Sequence, residues 1–572
     1  MKKIIFASLI VAAVSFAACN KTLDEKVYSK LTPELAFTSG ANAQAATDEM
    51  YESLHSAFRT PYFYVNDMST DVCYRSGKPF ETLNDNEIMT SSENESYWEN
   101  LYKVVARANI VLDNIPDMPD AEFESVSPKA QMLAEAHFMR AFAYMCLTDA
   151  YYQVPLVTSS TEDIWAAAEY AKLDDIEKVI ESDLKAAAAD LPDAFDNANA
   201  SRPTNGAVSA YLCRLYMKQA GRARLAGDSE AAKAKWRLAD AEVDKVLAKE
   251  GSTYELLPHV HDIYVANTND GKYNKEIIFA IRATGLVTSG SWDLGLSWTP
   301  WDCNYGWSTF SMPLELAWSF EEGDTRFFDK NQDPANPMVF KTYTKYLRTD
   351  KPKYANCIFA YPKTLDRIGL ALADYAAAHP GIEFADGTAE LDAVYTNKYD
   401  YYEAGSYNYD TPNNAIVCRL ADMMLCKAEI ENELNNGPTS VAIALLNRIR
   451  TRAFQGDSHN YSAADFSSAA DFRNALCDER ALEFHSEGLR RPDLIRMGLW
   501  KDRMTKYVNT IKAKARQKEI NEERAEHYYD NMFVAYPTSF KSMDKLMYMP
   551  YPHRELSISP DLANARDFAE KD

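Results

Sequence analysis

Glu479-Arg480-Ala481-Leu482-Glu483-Phe484-His485-Ser486-Glu487-Gly488-Leu489-Arg490-Arg491-Pro492-Asp493-Leu494-Ile495-Arg496-Met497-Gly498 is the stretch on which the fold turns. Glu479, Glu483 and Glu487 lie four residues apart and so share one helix face. Gly488 suits the left-handed turn that ends a helix, and Pro492 suits the first turn of the next. Arg480, Arg490 and Arg496 are then placed to bridge the three carboxylates across the turn. The spacing predicts a helix–turn–helix clasp. An acid–base pair would need carboxylates whose surroundings push their pKa values apart, and evenly spaced glutamates show no such asymmetry.

Helical periodicity extends outward from this stretch. Leu133, Ala136, His137, Arg140, Ala141, Tyr144 and Leu147 recur at steps of three and four, the mark of one packed helix face. Asp174 is placed to cap a second helix carrying Ile176, Val179, Ile180, Leu184 and Ala188 until Leu191-Pro192. Two more follow, Ala207 to Gln219 ended by Gly221, and Glu230 to Lys249 ended by Gly251. Later, Leu420, Met424, Ala428 and Glu431 precede the turn Asn435-Asn436-Gly437-Pro438, after which Val441, Leu445, Leu446 and Ile449 continue. These read as degenerate helix pairs of the tetratricopeptide type, so the expected class is mostly α. Glu276 to Arg282 is the clearest strand.

Between about 252 and 413 turn residues, aromatics and proline replace the helical pattern. A loop-rich insertion of this length is usually functional or disordered, and its aromatic content argues for function. Of the 572 residues, 84 are acidic and 61 basic, a net charge of −23. That balance argues against nucleic acid, which is bound through basic patches. Eight cysteines besides Cys19 are scattered without a C-x-x-C, and mostly free, buried thiols are expected.

At the start, Lys2-Lys3 and the apolar or small run from Ile4 to Ala18 describe a secretory signal, too short to span a bilayer. Cys19, directly after Ala17-Ala18, resembles a lipobox cysteine, with Phe16 where leucine is usual. Residues 1–18 are therefore expected to be a signal peptide, 19–30 a lipidated tether, and 31–572 a single domain.

Several segments resemble the SusD/RagB family of lipoproteins. The 479–498 stretch is similar to that family's C-terminal signature. Ala134-Glu135 through Val154-Pro155-Leu156, Ser201-Arg202 to Ala207, Arg419 to Glu429, and Met549-Pro550 to Leu562 resemble other segments of the family, all in family order. The resemblance implies a SusD-like fold with degenerate tetratricopeptide-type pairs. It also implies an outer-membrane, cell-surface lipoprotein, held by lipid on Cys19, that binds a glycan. That protein would deliver its ligand to a SusC-like TonB-dependent transporter barrel. A RagB-type peptide binder and a helical-repeat scaffold without a small ligand are the alternatives; a polysaccharide-degrading enzyme would need paired cleft carboxylates.

Residues 291–307 hold four of the nine tryptophans. Trp292, Trp298, Trp301, Tyr305 and Trp307 are the candidate ligand contacts, because flat rings on loops suit the C–H faces of sugars. The competing reading is that they pin a long loop to the core. Asp71, Tyr74 and Arg75 follow the aromatic run Tyr62-Phe63-Tyr64, and by the resemblance their loop joins the ligand cleft. The six tyrosines from Tyr395 to Tyr409 are expected to pack beneath the loops.

No cofactor or metal is expected. His259-Val-His261-Asp262 lacks a partner set, and in Asp329-Lys-Asn331-Gln-Asp333 a proline, Pro334, stands where a calcium loop requires glycine.

Overall fold

Capping side chains set where most of the long helices begin. The structure, a computed structural model, describes residues 37–75, 89–161, 170–264, 272–283, 413–516 and 546–559, except 69, 197 and 198, with short pieces between 297 and 399. Helix α1 (Gly40–Ala57) is capped by the Ser39 hydroxyl, and Pro61 opens the short α2 (Thr60–Asn66). Strand β1 (Tyr74–Arg75) is followed by α3 (Ser92–Asn114), capped by Ser91, and α4 (Lys129–Tyr151). Next come α5 (Leu173–Ala187), α6 (Asn205–Leu225) with its Thr204 cap, and α7 (Ser229–Leu247) with its Asp228 cap. Each of these cap side chains accepts a first-turn N–H that the helix leaves unpaired.

The insertion contributes β2 (Ile277–Ile281), β3 (Phe310–Pro313), β4 (Cys357–Ile358), β5 (Glu383–Phe384) and β6 (Ala393–Val394). The chain then returns through β7 (Ala415–Arg419) into α8 (Leu420–Asn435), α9 (Ser440–Phe454), α10 (Ala469–Phe484), α11 (Arg490–Met497), α12 (Trp500–Arg516) and α13 (His553–Ile558).

Consecutive helices pack in a run from α3 to α9, as expected for helix pairs. The pairing continues across the insertion, because α7 packs on α8 although 172 residues separate Leu247 from Leu420. The ends of the insertion are joined by the antiparallel ladder of β2 with β7, in the register Ile277↔Arg419 through Ile281↔Ala415. One contiguous apolar core runs through helices and ladder. All six cysteines whose side chains are described are buried and free. No helix among the described residues is long and apolar enough to cross a membrane.

Three expectations about helices need correcting. From Ala134 to Thr148 every residue but His137 is buried, so α4 is a central helix enclosed on nearly all sides, not one with a single packed face. Asp174 does not cap α5; it sits in the first turn, and Lys172 holds the cap position. Gly221 does not end α6, which runs on to Leu225. A Cβ at Gly221 would lie 2.6 Å from the Arg496 carbonyl oxygen, so glycine is required there for close approach of α11.

Candidate ligand-binding face

Strands adjoining the three aromatic segments in sequence pair in one small sheet. Strand β3 pairs antiparallel with β1 (Tyr74↔Ser311, Arg75↔Phe310) and with β6 (Met312↔Val394, Pro313↔Ala393). Both β1 and β6 therefore run toward the end of the sheet at which β3 begins. The polypeptide leaves after Arg75, arrives from the tryptophan-rich segment at Phe310, and heads into the tyrosine-rich stretch beyond Val394, all at that end.

Phe63 of α2 anchors this end to the helical scaffold. Its ring lies 5.8 Å from Trp298, 6.3 Å from Phe310 and 6.2 Å from Tyr399, centroid to centroid, while Trp298 and Phe310 are 4.8 Å apart. Edge and tilted contacts of this kind hold rings in fixed relative orientation. Tyr399 continues inward, donating its hydroxyl to the Ser486 carbonyl at 2.7 Å. Tyr62, next to Phe63, donates to the carbonyls of Glu487 and Gly488.

Beneath the rings lies a buried charge network. Glu276, Asp324, Glu479, Glu483 and Glu487 face Arg326, Arg419, Arg450, Arg452 and Lys398, each side chain at most 4% exposed. Five carboxylates meet five cations, so the cluster is neutral. Glu487 accepts from Arg419 at 2.8 Å, Lys398 at 2.9 Å and the Tyr264 hydroxyl at 2.6 Å. Buried charges persist only when paired and hydrogen-bonded, and these are both. Glu276, Asp324, Arg326 and Lys398 come from the insertion, so the network ties the insertion to α9 and α10.

The clasp is therefore built differently from the expectation. Arg480 pairs with Asp422 and Asp493, Arg490 with Asp71, and Arg496 with Glu429 and Asp493, none with Glu479, Glu483 or Glu487. Successive helical residues are rotated about 100°, so Arg480, one step beyond Glu479, points to another side of α10. The glutamates turn toward Arg326, Arg419, Arg450 and Arg452, which are remote in sequence. These arginines come from three separate segments, with Arg450 and Arg452 sharing α9, and no spacing signal marked them as partners.

The candidate residues fall in distinct places. Asp71 is held by Arg490 through two hydrogen bonds of 2.7 Å, which fixes the loop entering β1. Tyr74 is buried, and Arg75 is half-buried at the strand end. Trp298 is 1% exposed and pins its segment to the core, the competing role considered for these rings. Trp292, Trp301, Tyr305, Trp307 and Cys19 lie outside the described residues.

The turn after α10 also grips α2 and its loop. The Gly488 N–H donates to Asp67 Oδ2 at 2.7 Å, and Arg491 Nε donates to the Val65 carbonyl at 2.9 Å. Asp67 Oδ1 has no hydrogen-bond partner. Burial pushes the Asp67 carboxyl up to about 7, only partly opposed by the Gly488 N–H. Burial likewise pushes the Lys398 ammonium down to about 8 against the pull of Glu487.

Because the folded Asp67 has a raised pKa, the native state binds more protons than the unfolded chain between about pH 4 and pH 7. Its contribution to stability is complete below that window and declines as pH rises through it. Asp67→Asn keeps the acceptor and removes the titration. Thermal melts should show the variant gaining on the wild type from pH 4 to 7, on the order of 2–4 kcal/mol. A constant gap across that window would show that Asp67 does not titrate there.

Comparison with known proteins supplies the relatives of this architecture. The model described as "SusD family" matches residues 275–566, and the one described as "Starch-binding associating with outer membrane" matches 21–217. The chain is 26% identical over 546 residues to SusD-like protein P25 of Formosa agariphila, covering 87% of this chain and 90% of that protein. It is 25% identical over 481 residues to the starch-binding protein SusD of Bacteroides thetaiotaomicron, covering 78% of each. The crystal structure of a SusD homolog from Bacteroides thetaiotaomicron superposes with a TM-score of 0.65 at 19% identity, covering 92% of this chain and 96% of that one.

Proposed function

The chain belongs to the SusD family, and from that membership we propose that it is a cell-surface lipoprotein that captures a glycan and delivers it to a SusC-like TonB-dependent transporter in the outer membrane. The pairing, in the β1–β3–β6 sheet, of strands that adjoin the three aromatic segments carries this reading. Rings arriving there have a rigid base, since Phe63, Phe310 and Trp298 are packed together and the charge network sits below them. A preformed site of this kind spends little binding energy on ordering itself. The outer-membrane description of the family model at 21–217 and the starch-binding function named for the Bacteroides relative support both the location and the ligand class.

Trp292, Trp301, Tyr305 and Trp307 stack on sugar faces, with capture rather than catalysis as the outcome. Acylated Cys19 holds the protein at the membrane, and the several acyl chains of a lipoprotein anchor more firmly than one. Residues 31–572 act as a single unit in this account, with the 252–413 insertion carrying the ligand face.

Calorimetric titration of starch and a panel of other glycans tests the assignment. Each of Trp292→Ala, Trp301→Ala, Tyr305→Ala and Trp307→Ala is examined in turn. At least two should weaken binding about tenfold, the loss expected for one ring contact of about 1.4 kcal/mol. Unchanged affinity in all four would remove the rings from the site. Binding of a peptide library with no glycan bound would favour the RagB-type reading instead.

A further inference from the structure

Away from the sheet, the helical scaffold encloses a second feature. It is a cavity of about 740 Å³, within the range of small-molecule pockets. Side chains of α2, α3, α4, α6, α8, α10, α11 and α12 line it. Aromatic side chains supply much of its wall, among them Phe58, Tyr62, Phe142, Tyr211 and Trp500.

Its polar groups are unevenly satisfied. Arg480 uses Nε on Asp493 and Nη2 on Asp422, both at 2.7 Å, while Nη1 has no partner. The Tyr97 hydroxyl, on a side chain 0% exposed, has only the Cys146 thiol and the Asn66 amide beside it, and a thiol is a weak acceptor. A buried donor without an acceptor costs about 1–3 kcal/mol. The lining carboxylates, by contrast, are already taken: Asp422 and Asp493 by arginines, Asp149 by Lys218 at 2.6 Å. Among the described lining residues six are basic and three acidic, in a chain whose net charge is −23. The unmet need is therefore for an acceptor, and a guanidinium donor favours an anionic one.

The rim carries strain as well. Tyr152, at the end of α4, has φ 70° and ψ −78°, and the Gln153 N–H donates to the Tyr151 carbonyl across it at 3.0 Å. This is a γ-turn of the positive-φ kind, rare outside glycine. It sets the Tyr152 ring 4.9 Å from Tyr548, and both rings line the cavity. Backbone strain of this size tends to occur where a ligand is clamped.

We propose that this cavity binds a small aromatic carboxylate, its ring among the aromatic side chains and its carboxylate toward Arg480 and Tyr97. The site is separate from the sheet-end glycan face and does not depend on that assignment.

The probe is 4-hydroxycinnamate, with 4-hydroxycinnamyl alcohol as its neutral counterpart, titrated into the full chain by calorimetry. The acid should bind saturably and at least about tenfold more tightly than the alcohol, the discrimination expected of a charge-assisted hydrogen bond. Met145→Trp, which fills the cavity from α4, should abolish binding of the acid while leaving glycan affinity unchanged. Tyr97→Phe deletes only a hydroxyl whose neighbours are the Cys146 thiol and the Asn66 amide, so it should still fold and should weaken the acid about threefold or more. Absence of saturable binding, equal affinity for acid and alcohol, or wild-type affinity in a folded Met145→Trp protein would each overturn the proposal. Should Met145→Trp fail to fold, unaltered affinity in Tyr97→Phe does so alone.

Discussion

Glu483→Ala is expected to cost this protein about 5 kcal/mol or more and to lower its melting temperature by about 4 °C or more. The Glu483 side chain is 0% exposed; Oε1 accepts from Arg419 at 2.7 Å and from Arg452, and Oε2 accepts from Arg326 at 3.0 Å. Burial opposes ionisation of its carboxyl, yet Arg452, Arg419 and Arg326 together hold it well below the usual carboxylate range. Truncation leaves three buried guanidinium groups facing one another, with Glu276, Glu479, Glu487 and Asp324 as the remaining counter-charges. Breaking a single buried pair costs about 3–5 kcal/mol, and here one carboxylate serves three partners. Whole-domain stabilities are only about 5–15 kcal/mol, so unfolding at growth temperature is within range. Glu483→Gln, which keeps the shape and loses the charge, should fall between alanine and the wild type. Circular dichroism melts decide the matter. A Glu483→Ala protein melting within about 2 °C of the wild type would mean that the network adds no cohesion.

The size of that effect shows what pattern reading reaches and where it stops. The helices were legible because each buries a stripe or a whole surface at the 3.6-residue period, and because the 435–438 turn separates α8 and α9 with unmistakable turn residues. The family was legible from five separated segments, and the two matched models cover them within 21–217 and 275–566. Glu479, Glu483 and Glu487 announced a shared face, but their partners were not readable. A carboxylate on a helix face specifies only that a cation must come, and Arg326 lies 157 residues from Glu483. Gly221 misled for a related reason, since a glycine that ends a helix and one that admits a neighbouring backbone look alike until the neighbour is placed.

Convergence at the candidate face depended on strands too short to show alternation. Only the register of β1, β3 and β6 puts Arg75, Phe310 and Val394, the strand residues that adjoin the three aromatic segments in sequence, at or near one end. Asp71 was singled out for its place beside that face, and its partner Arg490 shows that its carboxylate holds the loop in position.

Gly488→Ala should destabilise by about 4 kcal/mol, through two effects that a second glycine can separate. Gly488 has φ +74°, where an L side chain costs about 1–2 kcal/mol. A Cβ there would also lie 2.0 Å from Tyr62 Cε1 and 2.4 Å from Cζ. Tyr62 can yield only toward the neighbouring cavity and at a cost, because its ring is stacked 4.2 Å from Phe58 and bonded through its hydroxyl to the Glu487 and Gly488 carbonyls. Overpacking a core of this density costs about 1–3 kcal/mol more, and each displaced hydrogen bond adds about 1 kcal/mol. Gly227 supplies the control: its φ is +79°, yet nothing lies within 4 Å of a Cβ built on it. Gly227→Ala should lose only the backbone contribution, a few degrees less in melting temperature than Gly488→Ala. Equal losses in the two variants would show that Tyr62 moves aside freely. The consequence for function follows from what Tyr62 carries. Displacing it shifts α2 and with it Phe63, on which Trp298, Phe310 and Tyr399 rest. Gly488→Ala protein that remains folded at low temperature should therefore bind glycan less tightly than the wild type, whereas folded Gly227→Ala protein should bind it equally well.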